Sequence, residues 1–153
     1  MLRLSRKTLL ALEAVIDIAY NARPEPVQAR EITARQGVPQ RYLEQVMQQL
    51  VRAGILKGVR GPRGGYRLAR ERRRISIGEV IRIATSFDND EEDPSGGSEL
   101  GRCVVMPIIA SLQEEVMQKL DKITIEDLCA KARESGLDCG DTESRGPSAD
   151  FTI

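Results

Sequence analysis

Histidine and tryptophan are both absent from the 153 residues, and Tyr and Phe together make up only 3%. Without His there can be no Cys–His dyad and no Ser–His–Asp triad, so the common nucleophilic chemistries are unavailable. No phosphate-cradling glycine motif precedes a helix, because the glycine cluster falls between two short strand candidates. An enzyme is therefore not expected. So few aromatics point to a core of packed helices built from Leu, Ile, Val and Ala. The three cysteines, Cys103, Cys129 and Cys139, are odd in number and widely spaced. That argues against a disulfide framework and for a reducing compartment, hence the cytoplasm. No stretch approaches the roughly 18 uninterrupted apolar residues of a membrane span. Glu13 and Asp17 interrupt "LLALEAVIDIAY", so residues 1 to 22 do not read as a signal peptide.

The net charge of zero conceals a division. Residues 1 to 74 hold 16 Lys and Arg against 6 Asp and Glu, a balance of +10, and residues 75 to 153 hold 7 against 17, a balance of −10. Charge-segregated halves fit one half facing a polyanion, or equally two solvated faces of different habit.

Within the basic half the spacing predicts three helices. The first runs from about Thr8 to Ala22, with Ser5 as a cap. Leu9, Leu12, Val15, Ile16 and Ala19 form its apolar face, with Glu13 and Asp17 on the outer face. A short helix follows at Ala29 to Gln36, closed by Gly37. The third begins at Pro39 and stops at Gly54, with Leu43, Val46, Met47 and Leu50 as its buried stripe. Its opposite face carries Arg41, Glu44, Gln45, Gln48 and Arg52. Such side chains match base edges, Arg to guanine, Gln to adenine and Glu to cytosine, although they also populate any exposed helix. The short helix, the glycine turn and the third helix together read as a helix-turn-helix.

The segment "GVRGPRGGYRL", residues 58 to 68, then places "RGPRGG" between the strand candidates "ILKGV" and "YRLAR". After a helix-turn-helix, a two-stranded hairpin is the wing of a winged-helix domain. Glycines let backbone approach a phosphate, and Arg60 and Arg63 at the tip suit the negative potential of a minor groove. The run Arg70 to Arg74 reads as a solvated connector.

The acidic half opens with a helix near Ser76 to Ser86, capped by Ser76 and Glu79. "SFDNDEEDPSGGSELG" reads as a loop of about fifteen residues. A long helix from about Arg102 to Lys122 follows, with Pro107 confined to its first turn. Val105, Ile108, Ile109, Leu112, Val116 and Leu120 line one side of it. That stripe needs covering, either by the first domain or by the same helix of a second chain. A last helix starts at Thr124, with Asp127 at capping-box spacing, and from Gly136 the composition is that of a frayed tail. The fold class is thus mainly α with a small β-hairpin. It divides into a winged helix-turn-helix over residues 1–75, an acidic loop with a dimerisation or sensor region over 76–135, and a flexible tail over 136–153.

These residues carry a family resemblance across roughly the first 135 positions. "YLEQVMQQLVRAGILKGVRGPRGGYRL" and "ITIEDL" are its most specific parts, supported by "LSRKTLLALEAVIDIA" and "REITARQGVPQRYLEQ". The chain resembles the Rrf-two family of bacterial transcription regulators, of IscR, NsrR and CymR type. The resemblance implies a homodimer on a palindromic operator. It carries recognition-helix contacts onto Arg41, Tyr42, Glu44 and Gln45, and the minor-groove arginine onto Arg60, beside Pro62, Gly64, Gly65 and Tyr66.

In its sensing branch the family holds an iron–sulfur cluster on three loop cysteines. Here only Cys103 matches, and the position three beyond is Met106. One matching thiolate per subunit does not complete a conventional site, so no cofactor is expected. An atypical cluster shared across a dimer is the alternative reading. CymR-type members imply instead a protein partner from cysteine metabolism. Cys103 is then a candidate redox thiol near a helix start, or simply a small hydrophobe, as Cys129 is expected to be. From another class, a winged-helix protein–protein adaptor remains the rival to DNA binding.

Overall fold

The structure is a computed structural model and describes residues 4–21, 23–86 and 97–137. Most of the acidic loop, including Asp88 to Asp93, and the tail with Cys139 lie outside the described residues.

Helix α1 (Arg6–Tyr20) starts where expected, the Thr8 N–H donating to the Ser5 hydroxyl at 3.1 Å. Its buried face differs from the expectation. Leu10, Ala11, Ala14, Val15, Ile18 and Ala19 are in the core, whereas Leu9 is exposed, Leu12 and Ile16 are half-buried, and Asp17 is buried. The inward face is turned by about one residue, burying Ile18 and carrying Asp17 in beside it, where Arg35 offsets the cost of its charge. Helix α2 (Ala29–Gln36) ends at Gly37, whose φ of 66° is the left-handed turn that suits glycine. Helix α3 (Gln40–Arg52) buries Leu43, Val46, Met47 and Leu50, none more than 2% exposed. Burial of each such side chain contributes on the order of 1.5–3 kcal/mol. Gly54 follows at φ 79°.

Strands β1 (Leu56–Val59) and β2 (Gly65–Leu68) pair antiparallel, Leu56 opposite Leu68 and Val59 opposite Gly65. A third edge was not legible in the sequence: the Val27 N–H donates to the Tyr66 carbonyl at 3.0 Å, and the Tyr66 N–H returns to Val27 at 2.8 Å. This ties the hairpin to the segment entering α2. The architecture is that of a winged helix-turn-helix.

The run Arg70 to Arg74 is the solvated connector expected, with Arg70, Glu71, Arg73 and Arg74 exposed, but two of its cations are tied down. A 3₁₀ turn forms at Arg72–Arg74, Arg70 pairs with Glu79, and Arg72 pairs with Glu126. Each of the two cations finds a carboxylate across the chain, which fixes the path into helix α4 (Ile77–Ser86). The core then continues past residue 75: Ile75, Val80, Ala84, Ile125 and Cys129 join the α1 and α3 side chains in one cluster. Helix α6 (Ile125–Glu134) is entered through a reciprocal cap, Thr124 and Asp127 each accepting from the other's backbone N–H. The Ile77 N–H bonds to Ile123 and the Ile125 N–H to Ile75, so the starts of α4 and α6 are stitched together.

Helix α5 (Met106–Asp121) is different in kind, because none of its residues is buried. A π-helical turn at Gly101–Val105 leads into it, the Met106 N–H reaching back to the Gly101 carbonyl. Pro107 would leave an unmade bond in an α-helix interior, and the wider turn just before it absorbs that defect.

Candidate nucleic-acid interface

Recognition-type side chains are presented by α3 because its other face is spent on the core. Arg41, Gln45 and Gln48 are exposed, while Tyr42 and Glu44 are half-buried. Gln40 Nε2 donates to Glu44 Oε1 at 2.9 Å, which holds that carboxylate one turn from the helix start.

The hairpin follows α3 directly, the Ile55 N–H bonding to the Leu50 carbonyl. Arg60, Pro62 and Arg63 stand exposed at its tip, and Gly61 turns the chain at φ 116°. Gly64 and Gly65 have a use inside the protein. A Cβ on Gly64 would run into the Val59 carbonyl oxygen, and one on Gly65 into that of Val27. The hairpin can close only without those side chains.

Tyr66 connects the two elements. Its ring packs on the core, and burial pushes its phenol up, with the Glu44 carboxylate adding to the shift. The Tyr66 phenol on the hairpin thus feels the charge of Glu44 on α3.

The cations divide by partner. Arg23, Arg35, Arg70, Arg72, Arg82 and Arg133 each pair with a carboxylate. Of the cations with no ion pair among the described residues, Arg41, Arg52, Lys57, Arg60 and Arg63 are exposed on α3 or the hairpin, while others, such as Arg30, Arg73 and Arg74, lie elsewhere. The five on that pair of elements form a surface that phosphates can neutralise. Lys57 was not singled out by sequence reasoning. Its place on the strand leading into the hairpin tip was the available signal.

Donors for a metal or cluster are not brought together. Cys103 is exposed on the π-helical turn, Cys129 is buried in the α6 core, and no three His, Cys, Asp or Glu converge among the described residues. Burial pushes the Cys129 thiol up, against the pull of Arg72 and Arg133. A thiol held in that state is a poor ligand or nucleophile. No helix among the described residues is long and apolar enough to cross a membrane.

Comparison with known proteins agrees with this geometry. A family model named Rrf2, described as an iron-dependent transcriptional regulator, matches residues 4–131. The regulator IscR of Vibrio cholerae is 36% identical over 132 residues, covering 83% of this chain and 75% of the relative. IscR of Klebsiella pneumoniae is 35% identical over 129 residues, covering 83% and 79%. Among solved structures, IscR of T. potens superposes with a TM-score of 0.72 at 32% identity, over 90% of this chain and 93% of that one. CymR, the global cysteine regulator of B. subtilis, gives a TM-score of 0.66 at 29% identity, over 86% and 98%.

Proposed function

The chain belongs to the Rrf2 family of transcriptional regulators, and we propose that it is a homodimer that reads a palindromic operator with α3 and the β1–β2 wing. It is a DNA-binding regulator and not an enzyme. The observation that supports the detailed reading is the set of five exposed cations without ion pairs on α3 and on the hairpin that follows it directly.

In this reading α3 enters the major groove. Arg41 has the fork to pair with guanine, Gln45 and Gln48 the amide to pair with adenine, and Glu44 the acceptor for a cytosine amine. Tyr42 supports the same face from its half-buried position. The hairpin tip places Arg60, with Arg63 beside it, in the adjacent minor groove, where narrow A·T-rich sequence concentrates negative potential. Pro62 and Gly61 shape that tip, and Gly64, Gly65 and Tyr66 fix it to the body.

The exposed stripe that starts at Val105 on the π-helical turn and runs along α5 through Ile108, Ile109, Leu112 and Val116 is between 39% and 56% exposed, with Leu120 half-buried at its end. An apolar row of that length is covered by its copy in a second chain. Two-fold pairing sets half-sites about one helical turn, roughly 10 bp, apart or a multiple of it. The regulator works as a repressor by occupying that operator, and it does so without a conventional iron–sulfur cluster.

The test is duplex binding followed by fluorescence anisotropy across a salt series, on a fragment selected from the source genome. Specific binding should weaken steeply, with a slope of about −0.9 per phosphate neutralised. A protein–protein adaptor would show no such binding. An absorption spectrum of anaerobically purified protein without visible bands is the expected result for the cluster-free reading. Charge-transfer bands at stoichiometric iron would reverse that part alone.

A further inference from the structure

Buried polar side chains among the described residues are three, Thr8, Asp17 and Asn21, and all sit on α1 or its cap. Thr8 lies 3.0 Å from the Ser5 hydroxyl and belongs to the start of α1. Asp17 is another matter, because it brings a full charge inside with a side chain only 4% exposed.

Most of what reaches that carboxylate comes from α2. Arg35 Nε donates to Oδ2 at 2.9 Å and Arg35 Nη2 to Oδ1 at 2.6 Å, a two-bond fork, and Gln36 Nε2 donates to Oδ2 at 3.2 Å. Asn21 completes the set at 3.2 Å from Oδ1. The bond to Asp17 holds the Arg35 guanidinium above its ordinary pKa.

Helix α2 needs such a device. Ile32 is its single buried residue and only Ala29 packs beside it on the core, two contacts three residues apart on one line that leave the rotation of α2 loosely fixed. A planar fork fixes it, since both bonds hold only at one orientation. At the other end Glu31 accepts from the Gln28 N–H at 2.8 Å and pairs with Arg23 at 2.9 Å. Immediately after Arg35 and Gln36 the chain turns at Gly37 and enters α3 at Gln40. The direction in which α3 leaves is set within that stretch.

We propose that the Asp17–Arg35 pair is a positioning device for operator reading: it seats α2 on α1 and, through the Gly37 turn, aims Arg41, Gln45 and Gln48 in register with base edges. This rests on the DNA-binding reading above. Only the carboxylate is buried, the Arg35 side chain being 29% exposed, and a partly buried ion pair adds little net stability over apolar packing, so direction is what it supplies that packing does not.

The test replaces the pair in two ways in the full-length protein. Asp17→Leu with Arg35→Met removes both charges, and Arg35→Lys keeps the charge while losing the fork. Thermal unfolding and sedimentation report fold and oligomeric state. Anisotropy on operator and on scrambled duplex, over a salt series, reports reading. The double variant should keep its fold, assembly and salt slope, and lose roughly tenfold or more in the ratio of specific to non-specific affinity, the size of one good base contact. Arg35→Lys should fall between it and the wild type. An unchanged ratio in the folded variants overturns the proposal and leaves the pair purely structural. If the double variant does not fold, Arg35→Lys decides on the same ratio. Wild-type protein without salt-steep duplex binding would instead defeat the DNA reading itself.

Discussion

Helices α3 and α5 are both amphipathic, and they spend their apolar faces in opposite ways. On α3 the row Leu43, Val46, Met47 and Leu50 is sealed in the core, which leaves its polar face outward and rigidly held. On α5 and the turn before it the row from Val105 to Val116 faces solvent in the single chain. The first helix is finished by its own chain and has a face to offer to a ligand. The second has no cover among the described residues of its own chain, and the proposed dimer would supply one. Periodicity alone makes the two look alike, and what separates them is whether the rest of the chain has surface left to cover them.

The strongest way to break this contrast is a charge in the α5 row. Ile109→Asp should abolish dimers at micromolar concentration in sedimentation velocity, because an unpaired carboxylate cannot be desolvated in an apolar seam. Operator affinity should fall by at least about 100-fold with the loss of the second half-site. A variant that still sediments as a dimer would remove α5 from the interface. The matching change in α3 acts inside the chain. Met47→Ala should cost about 2–5 kcal/mol in chemical denaturation through the cavity it leaves. Leu112→Ala on exposed α5 should leave the unfolding of the monomeric Ile109→Asp background nearly unchanged.

A subtler probe separates fold from reading on the polar side. Arg60→Ala should weaken operator binding by about 1–3 kcal/mol with the unfolding midpoint unchanged, since Arg60 has no ion pair among the described residues to lose. Unaltered affinity at fixed salt would take the wing off the DNA.

The sequence disclosed the helix ends well, because caps are local chemistry. Ser5, Gly37, Ser76 and the Thr124–Asp127 pair all cap where their spacing indicated. It disclosed the α3 faces for the same reason, an unbroken period over thirteen residues. It failed at Asp17, placed on the outer face of α1. A carboxylate is expected outside until a partner is known, and Arg35 is eighteen residues away. The Val27–Tyr66 bridge and the ion pairs of Arg70 and Arg72 escaped for the same cause, since each is a contact between distant segments. The candidate interface was readable by type and spacing. Which of its cations are free was not, because that depends on where every carboxylate ends up.

The smallest expected effect is at the joint between the two regions. Arg82 donates to Asp121 through both Nη atoms, one of the bonds at 2.8 Å, and ties α4 to the end of α5. Gly78 lies against the same carboxylate, where a Cβ would displace it. The Arg82 bond holds the Asp121 carboxyl below its ordinary value. A depressed carboxyl stabilises the folded state above its unfolded pKa and stops doing so as pH falls through the folded one. The tie should therefore persist from neutral to mildly acidic pH and be lost only below the usual carboxylate range. Both side chains are solvent-exposed, so the contribution is small and screened by salt. Asp121→Asn should speed amide exchange at the α5 C-terminus at neutral pH in low salt, with the difference from wild type closing in strong acid or high salt. A difference that persisted in high salt would show that the end of α5 is held by packing and not by this ion pair.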